Sequence, residues 1–210
     1  HIIRGARWGL PLGKAPMTDA LWESLTDSWC KLPMAITAEN LASSHDVTRE
    51  DADTYALRSQ QAYAAALEAG AFADEISPVS RTDRKGRVKE VSVDECPRPQ
   101  TTPEALTKLP TVFKKDGVIT AGNASAITDG AAAVVMATGD EVKKRELTPL
   151  ARVVSWGIVG VDPSIMGIGP VGAIRQALSR AGLTLSDMDV VEVNEAFAPQ
   201  YIACERDLGL

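Results

Sequence analysis

A chain of 210 residues is long enough for one large domain or for pieces of two. Its 28 acidic and 22 basic residues leave a net charge of -6, which argues against nucleic acid as the main partner. No apolar run approaches the roughly 18 residues of a membrane span, and Cys30, Cys96 and Cys204 have neither CxxC nor metal-ligand spacing, so the expectation is a reducing compartment, no metal and no membrane segment.

The chain opens at His1 without an initiator Met and ends at Leu210 just after a helical stretch, so both ends read as cuts through a larger protein. Residues 1–33 are irregular, punctuated by Gly and Pro, with Trp8, Trp22 and Trp29 expected to anchor them against a core or a subunit. Met34 to Leu41 reads as a short helix. Thr48 followed by Asp51 is an acidic variant of the capping box. Ala52, Tyr55, Ala56, Ser59, Ala62, Tyr63 and Ala66 then recur at helical spacing until Gly70 supplies a stop.

The stretch "EISPVSRTDRKGRVKEVSVDE" alternates around Lys85-Gly86 and predicts an exposed hairpin whose Arg81, Arg84, Lys85, Arg87 and Lys89 form a solvated face. Residues 96–117 are Pro-rich, with a short helix at 103–108, and are long enough to be an excursion that covers a site. Next, a short strand leads to Gly122-Asn123-Ala124-Ser125, and Asp129 caps a buried helix or strand of small residues. "PLARVVSWGIVG" reads as another strand. "GPVGAIRQALSRAGLTLSDMDVVEVNEAF" reads as turn, helix, a stop at Gly182, a cap at Ser186, strand and helix. Strands alternating with helices predict a layered α/β core with helices on a mixed sheet. Composition shifts near 128 and 149 divide the chain into a loop-rich inserted unit (1–128), a core segment (129–149) and a second core unit (150–210).

Three places can carry chemistry. Asn194 and Glu195 follow the strand Val190-Val191-Glu192-Val193, and ligands of open α/β sheets gather at the carboxyl ends of strands. Asn194 either caps the following helix or presents its amide to a ligand or ordered water; Glu195 is expected to orient Asn194 or its backbone, and Phe197 to wall off a pocket. "IMGIGPVGA" is not GxGxxG and lacks a following Lys-Ser/Thr, so it either starts a helix at Pro170 or forms a tight turn with Met166 facing a ligand. In "TAGNASA", Ser125 and the amides around Gly122 either hold a polar cofactor arm or cap the turn at Asn123. The two histidines, His1 and His45, have no Cys or Ser partner at an informative spacing, so no nucleophile–base pair is assembled.

Taken in order, "MAITAENLA", "DEISPV", "CPRPQTTPEAL", "VITAGNASAITDGAAAVV", "PLARVVSW", "DPSIMGIGPVGAI" and "VVEVNEAFAPQ" resemble the corresponding stretches of thiolases, most closely the mitochondrial-type 3-ketoacyl-CoA thiolases. The resemblance implies an α/β, partial, layered αβαβα core with an inserted loop domain. By it, residues 1–128 match the coenzyme A-binding loop domain, 129–149 the end of the first core half and 150–210 the start of the second. It also implies that Arg98 lies beside the nucleotide of coenzyme A. Phe113, Ala121, Gly122 and Ser125 then wall its pantetheine, Met34 and Met166 line the acyl pocket, and Phe197 forms its floor. Asn194 holds the water of the oxyanion hole.

The implied activity is thiolytic cleavage of 3-ketoacyl-CoA by coenzyme A. A biosynthetic acetyl-CoA C-acetyltransferase and a non-catalytic coenzyme A-binding or assembly module are the alternatives. Coenzyme A and acyl-CoA are then substrates, with no tightly bound cofactor, and the whole enzyme is a homodimer or homotetramer. The family's nucleophilic Cys lies upstream of the matched region and its Gly-His-Pro and Cys-x-Gly motifs downstream, so the 210 residues alone are expected to be inactive. The sequence leaves the compartment open, cytoplasm for a bacterial parent and mitochondrial matrix for a eukaryotic one. Two departures stand out. Leu32-Pro33-Met34-Ala35 replaces the Tyr-His-Met-Gly of many biosynthetic members, and Ala126 replaces the usual Gly of "NASG".

Overall fold

The computed structural model describes Ile2–Ile3, Gly9 and residues 17–210. His1, Trp8 and most of the Gly/Pro punctuation before residue 17 lie outside the described residues. In chain order the elements are β1 (Ile2–Ile3), β2 (Met17–Thr18), α1 (Ala20–Ser24), α2 (Met34–Ser44) and α3 (Arg49–Glu68). There follow β3 (Val79–Thr82), β4 (Val88–Val91), α4 (Pro103–Thr107) and α5 (Gly139–Lys144). A 3-10 helix at Pro163–Ile168 runs into α6 (Gly169–Ala181); a second, Leu185–Asp187, precedes α7 (Ala198–Leu208).

Local chemistry sets most of these boundaries. At the start of α3 the Thr48 hydroxyl accepts from the Asp51 N–H (3.1 Å) while the Thr48 N–H donates to the Asp51 carboxylate (2.9 Å), the reciprocal box expected from the sequence. Pro170 sits in the first turn of α6, and Gly182 ends it in the left-handed conformation that a Cβ disfavours. β3 and β4 pair antiparallel across Lys85-Gly86, with every residue of β3 exposed.

The helices converge on a core of small residues. Ala42, Val47, Ala52, Tyr55, Ala198 and Ile202 form one buried cluster, with Val118 and Tyr201 packed on it. α7 therefore lies against both α2 and α3, and the 3-10 helix at 163–168 packs on α2. Alanines at these contacts let the helix axes approach closely, so the cluster joins residues 34–56 to residues 198–204.

Several expectations are corrected. Residues 151–159 and 189–193 are not helices, but neither are they paired strands, and Ile158 is 79% exposed. An extended segment becomes a strand only where a neighbour offers N–H and C=O groups; among the described residues the sheets are β1–β2 and β3–β4 alone. Segment 151–159 lies instead along α6. Ser155 Oγ donates to the Ala177 carbonyl (2.7 Å), the Gln176 side chain accepts from the Ile158 N–H (2.8 Å), and Arg180 donates to the Trp156 carbonyl (2.7 Å).

The stretch after Asp129 is likewise without regular structure, and Val135 is fully exposed rather than buried. α5 is capped by Thr138, not Asp129, and the cap expected at Ser186 is made by Thr184 with Asp187. Trp22 and Trp29 are exposed, Trp29 to 87%, and so do not anchor the N-terminal region onto this core. No helix among the described residues is long and apolar enough to cross a membrane.

Candidate functional site

A cleft of about 920 Å³ opens between the middle of α3, the Pro-rich excursion, residues 121–126 and residues 192–198. The excursion is fastened to α3 by charge-assisted hydrogen bonds. Arg49 Nη2 donates to the carbonyls of Leu106 (2.8 Å) and Leu109 (2.9 Å), at and just beyond the end of α4. Arg49 Nε pairs with Asp53 at 2.7 Å, and the other Asp53 oxygen accepts from Asn123 Nδ2 at 2.8 Å. Nearer the cleft mouth, the Arg98 N–H donates to Gln60 Oε1 (2.7 Å). Arg98 Nη1 closes its own loop by donating to the carbonyls of Glu95, Cys96 and Pro97. Arg98 thus brings an exposed cation to the cleft wall.

The wall at 121–126 is built on buried polar contacts. Glu39 of α2, 2% exposed, accepts from the N–H groups of Val118 and Ile119, with distances of 2.9 to 3.1 Å. Asn123 Oδ1 then accepts from the Thr120 N–H (2.8 Å), and Thr120 Oγ1 accepts from the Gly122 N–H (3.1 Å). A Cβ on Gly122 would lie 2.5 Å from a Leu106 methyl and 2.6 Å from a Leu109 methyl, so a larger residue here would force those two side chains to move. The Gly122 amide is thus engaged within the turn. Ala121, Gly122 and Ser125 nevertheless line the cleft.

The junction at 194–198 is clasped to this wall. Ser125 N–H donates to the Ala196 carbonyl and Ala198 N–H to the Asn123 carbonyl, both at 2.9 Å, with Ala124 bridged to Phe197. α7 begins at Ala198 with Phe197 as its N-cap residue, so Asn194 stands outside the helix and does not cap it. Of the two readings open from the sequence, only an exposed amide lining the cleft remains. Glu195 does not hold the Asn194 side chain. Its carboxylate turns to α3, where Tyr55 Oη donates to Oε1 at 2.6 Å and Ser59 Oγ to Oε2 at 2.7 Å. Burial, then the hydrogen bond and negative charge of Glu195, push the Tyr55 phenol well above its usual range, keeping it a proton donor.

Arg98, Ala121, Gly122, Ser125 and Asn194 thus share one cleft, whereas Phe113, Met34, Met166 and Phe197 are not among its lining residues. Phe113 sits in a turn closed by Val112 N–H on the Ile119 carbonyl. Met34 opens α2, which packs on the 3-10 helix carrying Met166. Buried Cys204, whose thiol burial pushes up in pKa, donates to the Gly167 carbonyl and lies outside the cleft. Sequence reasoning missed Tyr55, Ser59 and Thr101 as cleft residues. The first two were visible as an i, i+4 pair but read as part of a packing face.

Comparison with known proteins matches both parts of the chain. Residues 2–140 match the thiolase N-terminal domain and residues 147–210 the thiolase C-terminal domain. Human mitochondrial 3-ketoacyl-CoA thiolase is 57% identical over the whole chain, which covers 53% of that protein. An acetyl-CoA acetyltransferase of Pseudomonas aeruginosa is 49% identical, again over the whole chain and 53% of the relative. The crystal structure of the human mitochondrial thiolase in complex with CoA superposes with a TM-score of 0.89 at 57% identity, covering all of this chain and 52% of that one. The chain spans about half the length of the curated relatives it matches. With both domain patterns in sequence order and the fold in common, the chain belongs to the thiolase family.

Proposed function

We propose that the whole protein is an acetyl-CoA C-acyltransferase that cleaves 3-ketoacyl-CoA with coenzyme A, giving acetyl-CoA and a shortened acyl-CoA. One observation carries this reading: the cleft brings the cation Arg98, the Ser125 wall and the Asn194 amide together. The human relative named as a 3-ketoacyl-CoA thiolase, and its complex with CoA, support the substrate class. Arg98 would meet the nucleotide phosphates, while Ala121, Gly122 and Ser125 flank the pantetheine arm. Asn194 would donate, through a bound water, to the oxygen on which charge develops. Such a donor, fixed before the reaction, lowers the barrier because no reorganisation is needed as the charge forms. Phe113 as part of the pantetheine wall, Met34 and Met166 at the acyl pocket and Phe197 at its floor remain part of this proposal. So do the 1–128, 129–149 and 150–210 units, and a homodimeric or homotetrameric assembly. For a eukaryotic source the location proposed is the mitochondrial matrix, in line with the relatives named mitochondrial, and for a bacterial one the cytoplasm.

In the whole protein, Asn194→Ala should lower kcat by about 100-fold or more, the effect of losing one oxyanion donor, with coenzyme A affinity nearly unchanged. Equal losses of turnover and affinity would identify Asn194 as a structural residue. The P. aeruginosa relative favours a second reading, a biosynthetic acetyl-CoA acetyltransferase. Turnover of acetoacetyl-CoA but not of long-chain 3-ketoacyl-CoA would establish it in place of the first.

A further inference from the structure

The segment 195–198 is pinned at every step, yet the side chain just before it is exposed in the cleft. Ala196 and Ala198 are held by the 123–125 wall, and Glu195 is gripped through both carboxylate oxygens by α3. The grip is itself rigid. The Tyr55 ring lies 4.5 Å from the Tyr201 ring, and the Arg58 guanidinium sits 4.8 Å over its centre. Arg58 in turn reaches Glu205 at 3.9 Å, so the phenol is fixed from α3 and α7 together. Ser59 stands one helical turn after Tyr55, the spacing that aims two hydroxyls at one carboxylate. Two consequences follow for the residue before Glu195. Its backbone orientation is set by a neighbour whose side chain is held at both carboxylate oxygens. The carboxylate is also turned onto hydroxyl donors, which keeps its negative charge from competing for the Asn194 amide.

We propose that Tyr55 and Ser59 are positioning residues for Asn194, acting through a two-oxygen grip on Glu195. This rests on the reading of Asn194 given above. The pair also ties α3, which lines the coenzyme cleft, directly to the reacting end of it.

The test is a double-mutant cycle in the whole protein, following kcat and the KM for coenzyme A. Tyr55→Phe with Ser59→Ala should lower kcat about tenfold while KM moves by less than about twofold. Ser59→Thr, which keeps the hydroxyl, should restore most of the loss due to Ser59→Ala. In the Asn194→Ala background the same pair should lower kcat less than about twofold, because residues that act as a unit are non-additive. Should the pair fail to fold, Tyr55→Phe alone, the removal of one oxygen, carries the same cycle. An undiminished kcat in the pair, or an equal loss in both backgrounds, overturns this inference while leaving Asn194 in its role. A fully active Asn194→Ala variant overturns the reading on which the inference rests.

Discussion

Replacing Glu39 by Ala is the severest test of how the cleft wall is held. The side chain comes from α2, is 2% exposed, and takes the N–H groups of Val118 and Ile119 at 2.9 to 3.1 Å. Ile119 is itself fully buried, so its N–H has no ready substitute for the lost acceptor. Two hydrogen bonds to a carboxylate, at about 1.5–3 kcal/mol each, set the expected loss at about 3–6 kcal/mol. That is a large share of the roughly 5–15 kcal/mol by which a domain is stable. Glu39→Gln should recover about half of it, since one acceptor oxygen survives while an amide N–H replaces the other. Denaturant unfolding gives the energy, and amide exchange at Val118 and Ile119 locates it. The same variant should weaken coenzyme A binding, because residues 121–126 continue from the loosened segment at 118–120. A loss below about 1 kcal/mol with exchange unchanged would refute the reasoning.

Thr48→Ala should cost about 1 kcal/mol by removing the cap of α3, read from the thermal midpoint. The hydrogen bond from the Thr48 backbone, with the Thr48 hydroxyl and Arg206 nearby, holds Asp51 below its ordinary 3.8. A lowered folded-state pKa adds stability that is complete above the unfolded value and fades as pH falls through the folded one. The wild type should therefore lose stability to acid below about pH 3.8, and Asp51→Asn, which cannot titrate, should be less acid-sensitive there; identical acid profiles would contradict the box. Gly122→Ala forces a Cβ against Leu106 and Leu109 and should cost about 1 kcal/mol or somewhat more by overpacking. An unchanged melting temperature together with unchanged coenzyme A affinity would remove close packing as the reason for that glycine.

What could be read from the sequence was chiefly what is decided within a few residues. The Thr48–Asp51 box, the Gly182 stop, the Lys85-Gly86 hairpin and Pro170 in the first turn of α6 each depend on i to i+3 or i+4 geometry. Residues 151–159 and 189–193 show the limit of alternation. The pattern states which face a segment offers, while strand formation needs a partner that is not among the described residues. The cleft divides the same way. Asn194 was singled out by its place after an apolar run, but its release from capping depends on α7 starting only at Ala198. The Tyr55 and Ser59 contacts to Glu195 span 140 and 136 positions, and no local spacing announces them. Glu39 gave no signal at all, since a lone carboxylate in "TAENLA" reads as surface until residues 117–119 fold over it.

The clasp of residues 123–125 on residues 196–198 also orders events in time. A chain emerging from the ribosome can form α2, α3 and the β3–β4 hairpin early, because each closes on near neighbours. The far wall of the cleft arrives only when residues 192–198 have been made, so the long loop between must close before any contact across the cleft repays it. Until then the 121–126 wall waits for its partner, with Ser125 N–H and the Asn123 carbonyl turned to solvent. The cleft is thus a product of late folding. A nascent protein halted before Ala196 would carry the wall at 121–126 without the residues that close the cleft against it.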